Sequence, residues 1–353
     1  MSSTYINDYR DVCDFKGITF SNFKKSDVIK ELLNSFIHYK IESACYWAAE
    51  LICSANYGDL WDTIIFFFSR YVHLGNPKLA IYLEIKIKCF KDIIHSSYND
   101  LVLRNNHKVR GLFAEVICVL CDSKRKHCFQ DISKNIDLTM TQDKAKSPTA
   151  TLAEHLFLKD DPKDLYIAIN ELTYCIVDTQ NVISGCYWIE WILEYEKQNR
   201  LVKCQQRTTM PVLPKFQRDI VWLIWSAFFD ISIHKSTIIQ KIIQSLLAIF
   251  SLKYAQTSFK KKKYILYFIV SILCDDVVTN QDIITDQQKN VISNVLKKID
   301  VIYQQVKLNE LTPTSQDIDS GPSAFQDNKL RNLQKTIIKL ETMNSFEFPL
   351  QPV

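Results

Sequence analysis

Six glycines and nine prolines are all that 353 residues offer for sharp turning. A sheet-rich chain of this length would spend many more on hairpins and tight turns. Long helices with polar connections are the economical alternative, and the hydrophobic rhythm agrees. Apolar residues recur at three- and four-residue intervals over about 25–38, 42–55, 59–73, 77–97 and 107–122. They do so again over about 162–179, 181–198, 216–232, 235–252, 258–275 and 283–307. The expected fold class is all-α.

The breaks in that rhythm suggest domains. A Ser- and Thr-rich polar passage separates the two helical sets, so residues 20–135 read as one helical domain and 136–155 as a linker. Residues 156–307 then form a second helical domain, and 308–328, rich in Pro, Ser, Asp and Gly, a flexible segment. Leu330, Leu333, Ile337 and Leu340 place one apolar stripe on a terminal amphipathic helix over 329–344. That helix either docks on its own domain or serves a partner.

The two sets share a phrase. "SACYWAAEL" at 43–51 and "SGCYWIEWI" at 184–192 each give Ser, a tiny residue, Cys, Tyr and Trp in the same order. Further on, "KVRGLFAEVICVLCDS" (108–123) aligns without a gap to "KKKYILYFIVSILCDD" (261–276). The expected cause is internal duplication of a five- or six-helix unit; a shared vocabulary of helical cores is the alternative. Ala44 and Gly185 permit close helix approach, while Tyr46, Trp47, Tyr187 and Trp188 supply large buried surfaces beside them. These four aromatic residues are expected to be structural.

Composition narrows the function classes. Lys and Arg exceed Asp and Glu by only four, so any nucleic-acid contact must be a local patch. Eleven cysteines, odd in number and mostly inside apolar runs, read as reduced buried thiols rather than a disulfide scaffold. The polar start "MSSTYINDYRDVCDFKG" lacks an apolar leader core, and no run approaches the ~20 apolar residues of a membrane span. An intracellular protein, not secreted and without membrane partners, is expected.

"DVIKELLNSFIHYKIESACYWAAELI", "SRYVHLGNPKL" and "LFAEVICVLCDSKRKHCF" occur in that order. They resemble the C-terminal oligomerisation region of the MgsA/RarA/Werner-helicase-interacting AAA+ family, whose domains form helical collars on clamp-loader-related ATPases. Ala44, Tyr46 and Trp47 fill most of its Ala-x-x-Tyr-Trp pattern, with one residue fewer between Ala and Tyr. Ser69, Pro77 and Leu79 follow the order of its Ser-to-Pro-x-x-Leu turn, although one residue rather than two separates Pro77 from Leu79, Arg70 stands at the acidic place and Gly75 is shifted. The resemblance spans roughly residues 26–130, and its motifs are structural. The Lys-, Ile- and Asn-rich style is also similar to uncharacterised proteins of large nucleocytoplasmic DNA viruses. What this implies is two clamp-loader-collar-like domains in a replication or repair setting, located in host cytoplasm, viral factory or nucleus. The family's ATPase half has no counterpart: there is no G-x-x-x-x-G-K-[ST] and no G-x-G-x-x-G, and each glycine stands alone. No cofactor is expected.

Candidate chemistry is sparse, and no catalytic residue is assigned. Cys118, Cys121, His127 and Cys128 have partial zinc spacing, but the first two fall inside an apolar helix and read as core thiols. His73 and His107 sit at expected helix ends. Glu190 and Glu194 share a helix face, with Glu196 in the last turn of the same helix, and solvated carboxylates are their ordinary reading. No metal site is assigned.

The basic helix starts are more suggestive. Lys260, Lys261, Lys262 and Lys263 precede "YILYFIVSIL", and Arg104, Lys108 and Arg110 stand at the matching place in the first set, with His107 among them. Cations at a helix N-terminus oppose its dipole by about 0.3–1 kcal/mol each, so a bound phosphate would explain both. Lys124, Arg125 and Lys126 follow a helix C-terminus, where positive charge favours the dipole and needs no ligand. The expectation is a non-enzymatic scaffold in DNA replication or repair. It would self-associate or join a replication ATPase or clamp, with double-stranded DNA as a candidate partner. A viral structural or assembly protein that binds only proteins is the alternative.

Overall fold

The computed structural model describes residues 4–97, 99–132, 136, 138, 144–255, 259–311 and 322–346, with the side chains of 259–261 and 322–330 outside them. Among the described residues the chain is predominantly helical and has no named strand; one isolated bridge joins Ile18 and Lys24. The helices are α1 (Lys25–Ile37), α2 (Ile41–Cys53), α3 (Tyr57–Phe67), α4 (Leu79–His95), α5 (His107–Asp122), α6 (Tyr166–Val177), α7 (Val182–Gln198), α8 (Val221–Ser232), α9 (Thr237–Phe250), α10 (Phe259–Cys274), α11 (Asp286–Lys307) and α12 (Pro322–Thr342). None is long and apolar enough to cross a membrane.

The chain divides into two compact units that are not contiguous in sequence. Unit 1 comprises residues 1–67, 85–123 and 284–353; unit 2 comprises 68–84 and 124–283. This corrects the expected division at 136–155. Periodicity finds α11 but cannot say which core its stripe enters. Ile292, Val295, Ile299, Ile302, Tyr303 and Val306 are buried, and α11 packs on α5 and α2 in unit 1, not in the second helical set. Residues 144–155 are likewise no free linker, since backbone amides there bond to α6 side chains. Of the remainder of that linker, 137 and 139–143 lie outside the described residues, as do 312–321 of the expected flexible segment.

In unit 1, α1 and α2 form a hairpin through a three-residue turn in which Tyr39 takes a positive φ of 59°. Helix α2 is buried from Glu42 to Cys53, as a helix apolar on nearly all faces must be. It packs against α1, α3, α5, α11 and α12, and Trp47 meets Phe23 edge-on at 5.9 Å. Its deepest carboxyl, Glu50, accepts from Thr19 Oγ1 (3.0 Å), Ser21 N (3.0 Å) and Ser21 Oγ. Burial pushes that carboxyl up, and these hydrogen bonds oppose the rise. The terminal helix α12 buries Leu333 and Leu340 and contacts α2, so it docks within its own unit.

In unit 2, α6 and α7 form the hairpin. Asn181 closes it by accepting from Ser184 N at 2.9 Å, an N-cap on α7. Helices α8 and α10 each pack on both, and α9 packs on α8 and α10. A Cβ at Gly185 would stand 2.8 Å from Val270 Cγ1, so this glycine is what lets α10 approach α7. Tyr187 is half-buried, and Trp188 is buried 6.2 Å from Trp191.

Candidate functional site: a charged cleft in unit 2

The basic residues singled out at helix starts mostly hold the protein together. Arg104 is buried, donating to Asp8 O (3.0 Å) and Cys53 O (3.4 Å). Arg110 is 4% exposed and donates to Arg104 O (2.8 Å), Thr4 O (3.0 Å) and the Asp300 carboxylate (2.9 Å). Its guanidinium lies 3.9 Å from the centre of the Tyr303 ring. These two arginines fasten the N-terminal segment onto α5, so they are corrected from phosphate ligands to structural cations. Lys108 is exposed and has no ion-pair partner among the described residues.

The same holds at α10. Lys262 is 3% exposed; its ammonium donates to Phe250 O (3.0 Å) and Leu252 O. It therefore caps the C-terminal carbonyls of α9, where the dipole favours a cation. Lys263 lies between Asp131 (2.8 Å) and Glu190 (2.9 Å), and Glu190 also accepts from Tyr267 OH. Burial alone would lower the Lys263 pKa, but the two carboxylates outweigh it and raise it. A dipole argument treats each helix alone; here the neighbouring helix end and carboxylates supply the compensation. The side chains of Lys260 and Lys261 lie outside the described residues.

The other candidates are separated. Cys118 and Cys121 are buried in α5, and burial pushes the Cys118 thiol up. Glu194 pairs with Lys197 at 2.9 Å, while Glu196 accepts from Ile220 N at 3.2 Å. Burial, then the nearby Asp219 charge, push Glu196 up to about 7. His107 is exposed at the first position of α5. Among the described residues no three His, Cys, Asp or Glu side chains converge as a metal would need.

What the structure does assemble surrounds an interrupted helix. After α3 the chain makes a π-turn at Phe68–Val72 and a 3-10 turn at His73–Gly75, with His73 at φ 29°. Such interruptions free backbone carbonyls and recur at functional sites. Arg70 O accepts from Phe129 N (3.0 Å), and Tyr71 O from Lys126 N (3.3 Å). Arg70 Nε donates back to Phe129 O at 3.0 Å, and His73 Nε2 contacts His127 O at 2.7 Å. Gly75 completes the attachment: a Cβ there would lie 2.2 Å from Lys124 O. The segment 124–129 is thus laid on the turn as a backbone-bonded strip.

The strip forms one wall of a cleft of about 430 Å³, lined by Lys124, Arg125 and Lys126 and, opposite in sequence terms, by Asp275 and Asp276 after α10. Leu74, Gly75, Val277, Val278 and Gln281 complete the lining. Lys124, Lys126, Asp275 and Asp276 form no ion pair among the described residues, although they share this cleft. Unspent charges of both signs in one concavity are available to a ligand. The imidazoles beside it are kept neutral. Burial pushes His73 down to about 4, with the His127 O hydrogen bond opposing; burial also lowers His127, Lys126 adds to that, and Asp275 opposes it. His73 packs face to face on Phe129 at 4.3 Å, and its buried Nδ1 has no hydrogen-bond partner among the described residues.

The cleft was missed in sequence because Lys124–Lys126 fit a helix C-terminus without needing a ligand. The available signal was the neighbouring "HLGNP", whose glycine marks a close backbone approach. No protein-family model, curated protein sequence or solved structure matches the chain, and its site rests on its own geometry.

Proposed function

We propose that this protein is a non-enzymatic helical scaffold that takes a phosphate-bearing macromolecule, double-stranded DNA, at the unit 2 cleft. The observation that carries the reading is the strip Lys124–Lys126. The Lys124 and Lys126 ammonium groups are exposed and form no ion pair among the described residues, and their backbone is held by the π-turn, so two cations are presented with less backbone ordering cost at binding. The replication or repair setting follows from the collar resemblance and belongs to the proposal, as does assembly with itself or with a replication ATPase. Support for duplicated collar-like units comes from matching partners. In unit 1 α5 and α3 each pack on the α1–α2 hairpin, and in unit 2 α10 and α8 each pack on the α6–α7 hairpin.

A second reading, a structural or assembly protein that binds only proteins, is favoured by Asp275 and Asp276. Two carboxylates in the cleft repel a polyphosphate and suit a partner segment carrying both charges. Duplex binding over a salt series separates the readings, comparing the native chain with Lys124→Ala/Lys126→Ala. The DNA reading expects weaker binding by the variant and a log–log salt slope shallower by about 2. Equal binding by both proteins, or none near physiological salt, transfers the cleft to a protein partner.

A further inference from the structure

The segment 144–153 carries a feature that the cleft does not use. Two buried side chains of α6 strap it down: Glu171 accepts from Lys146 N (2.9 Å) and Ser147 N (2.8 Å). Asn170 accepts from Leu152 N (2.9 Å) and donates to Thr149 O (2.8 Å). Between these clamps Ser147 is half-buried beside exposed Lys146 and Pro148, and among the described residues its hydroxyl donates to Thr149 O at 2.6 Å in an exposed hydrogen bond. The backbone there is not helical, and Pro148 follows directly, which holds Ser147 away from the helical region. Lys144 and Lys146 are exposed on the N-terminal side.

We propose that Ser147 is a phosphorylation site for a proline-directed protein kinase, and that phosphorylation lifts the strap from α6. The Ser147 oxygen attacks the γ-phosphorus of a nucleoside triphosphate. The bond to the β–γ bridging oxygen breaks, the diphosphate leaves, and the hydroxyl proton passes to the kinase's base. The product carries nearly two negative charges on the residue whose own N–H is bonded to the Glu171 carboxylate. The donor to Thr149 O is lost in the same step. Glu171 is 2% exposed, so it cannot turn to water while the strap is in place. The exposed ammonium of Lys146 can follow the phosphate outward, whereas the fixed carboxylate repels it. Four hydrogen bonds drawn from two side chains form a unit small enough to open locally without unfolding α6.

The test uses the full chain, a purified proline-directed kinase and magnesium ATP. Fragment mass spectra locate the phosphate, and hydrogen exchange follows the amides of Lys146, Ser147 and Leu152. The expected result is phosphate on Ser147, absent from Ser147→Ala, with exchange at those amides faster by about tenfold or more. Ser147→Ala retains both backbone bonds to Glu171, so its own exchange should match the unmodified native chain. Glu171→Gln removes the like charge and, having one acceptor oxygen, also one of the two backbone bonds; its exchange should already be faster before phosphorylation, which should then change it much less. No phosphate on Ser147, or phosphate only on Thr312 before Pro313, overturns the site. Phosphate on Ser147 with unchanged exchange, or an equal increase in Glu171→Gln, overturns the release.

Discussion

Replacing Arg110 by Met decides whether the basic start of α5 is a surface for phosphate or an internal fastening. Methionine keeps most of the side-chain volume, so packing changes little. What is lost is the donor set. Arg104 O, Thr4 O and Asn105 Oδ1 lose donors at 2.8, 3.0 and 3.2 Å, and the Tyr303 face loses the cation 3.9 Å from its centre. A buried acceptor left without its partner costs about 1–3 kcal/mol, and a desolvated cation–π contact up to about 2. Asp300 returns to water, since its side chain is 60% exposed, and adds little. With Thr4 and Asn105 only partly buried, the sum is about 3–5 kcal/mol, the range for breaking a buried charged contact. Urea unfolding followed by tryptophan fluorescence and by far-ultraviolet circular dichroism measures it, the two probes checking for a separate unit 1 transition. An exposed phosphate ligand would change stability by no more than about 0.5 kcal/mol. A loss under 1 kcal/mol would refute the fastening.

Three further outcomes follow from the same packing. Gly75→Ala should destabilise unit 2 by about 1–3 kcal/mol and weaken cleft binding, because the new methyl meets the backbone at Lys124 O, 2.2 Å away; unchanged binding and midpoint would contradict this. Gly185→Ala should also destabilise, and Val270→Ala should restore part of the loss, since the clash is with Val270 Cγ1; additive effects in the double variant would deny the contact. Glu196 holds its proton to about 7 in the native protein, against about 4.3 unfolded, so stability should fall as pH rises between those values and then level off. The whole effect is up to about 4 kcal/mol, and Glu196→Gln should flatten the profile; an equal slope in the variant would place the proton elsewhere.

Much of the fold could be read from the chain. Glycine scarcity and the apolar rhythm give a predominantly helical protein, and the Cys-Tyr-Trp phrase falls on α2, buried along almost its whole length, and on the buried face of α7. The partnership of α11 could not be read. Its stripe from Ile292 to Val306 is equally good for either core, and only the packing on α2 and α5 decides. Site reading failed for a related reason. Lys262 looks solvated in sequence because its acceptors, Phe250 O and Leu252 O, belong to the preceding helix end. Lys124 looks explained by a dipole until Gly75 and the π-turn give its backbone a fixed seat.

The interleaving of the two units also sets an order of assembly during synthesis. Every segment of unit 2 has been made once Ile283 is added, whereas unit 1 still lacks 284–353. Until α11 emerges, α2 and α5 have no cover for the faces it occupies, and both helices carry long runs of buried apolar residues. The half begun first is finished last. A ribosome paused some tens of residues beyond Ile283 would expose one unit with all its parts and one with an open hydrophobic flank, which is where a chaperone would bind.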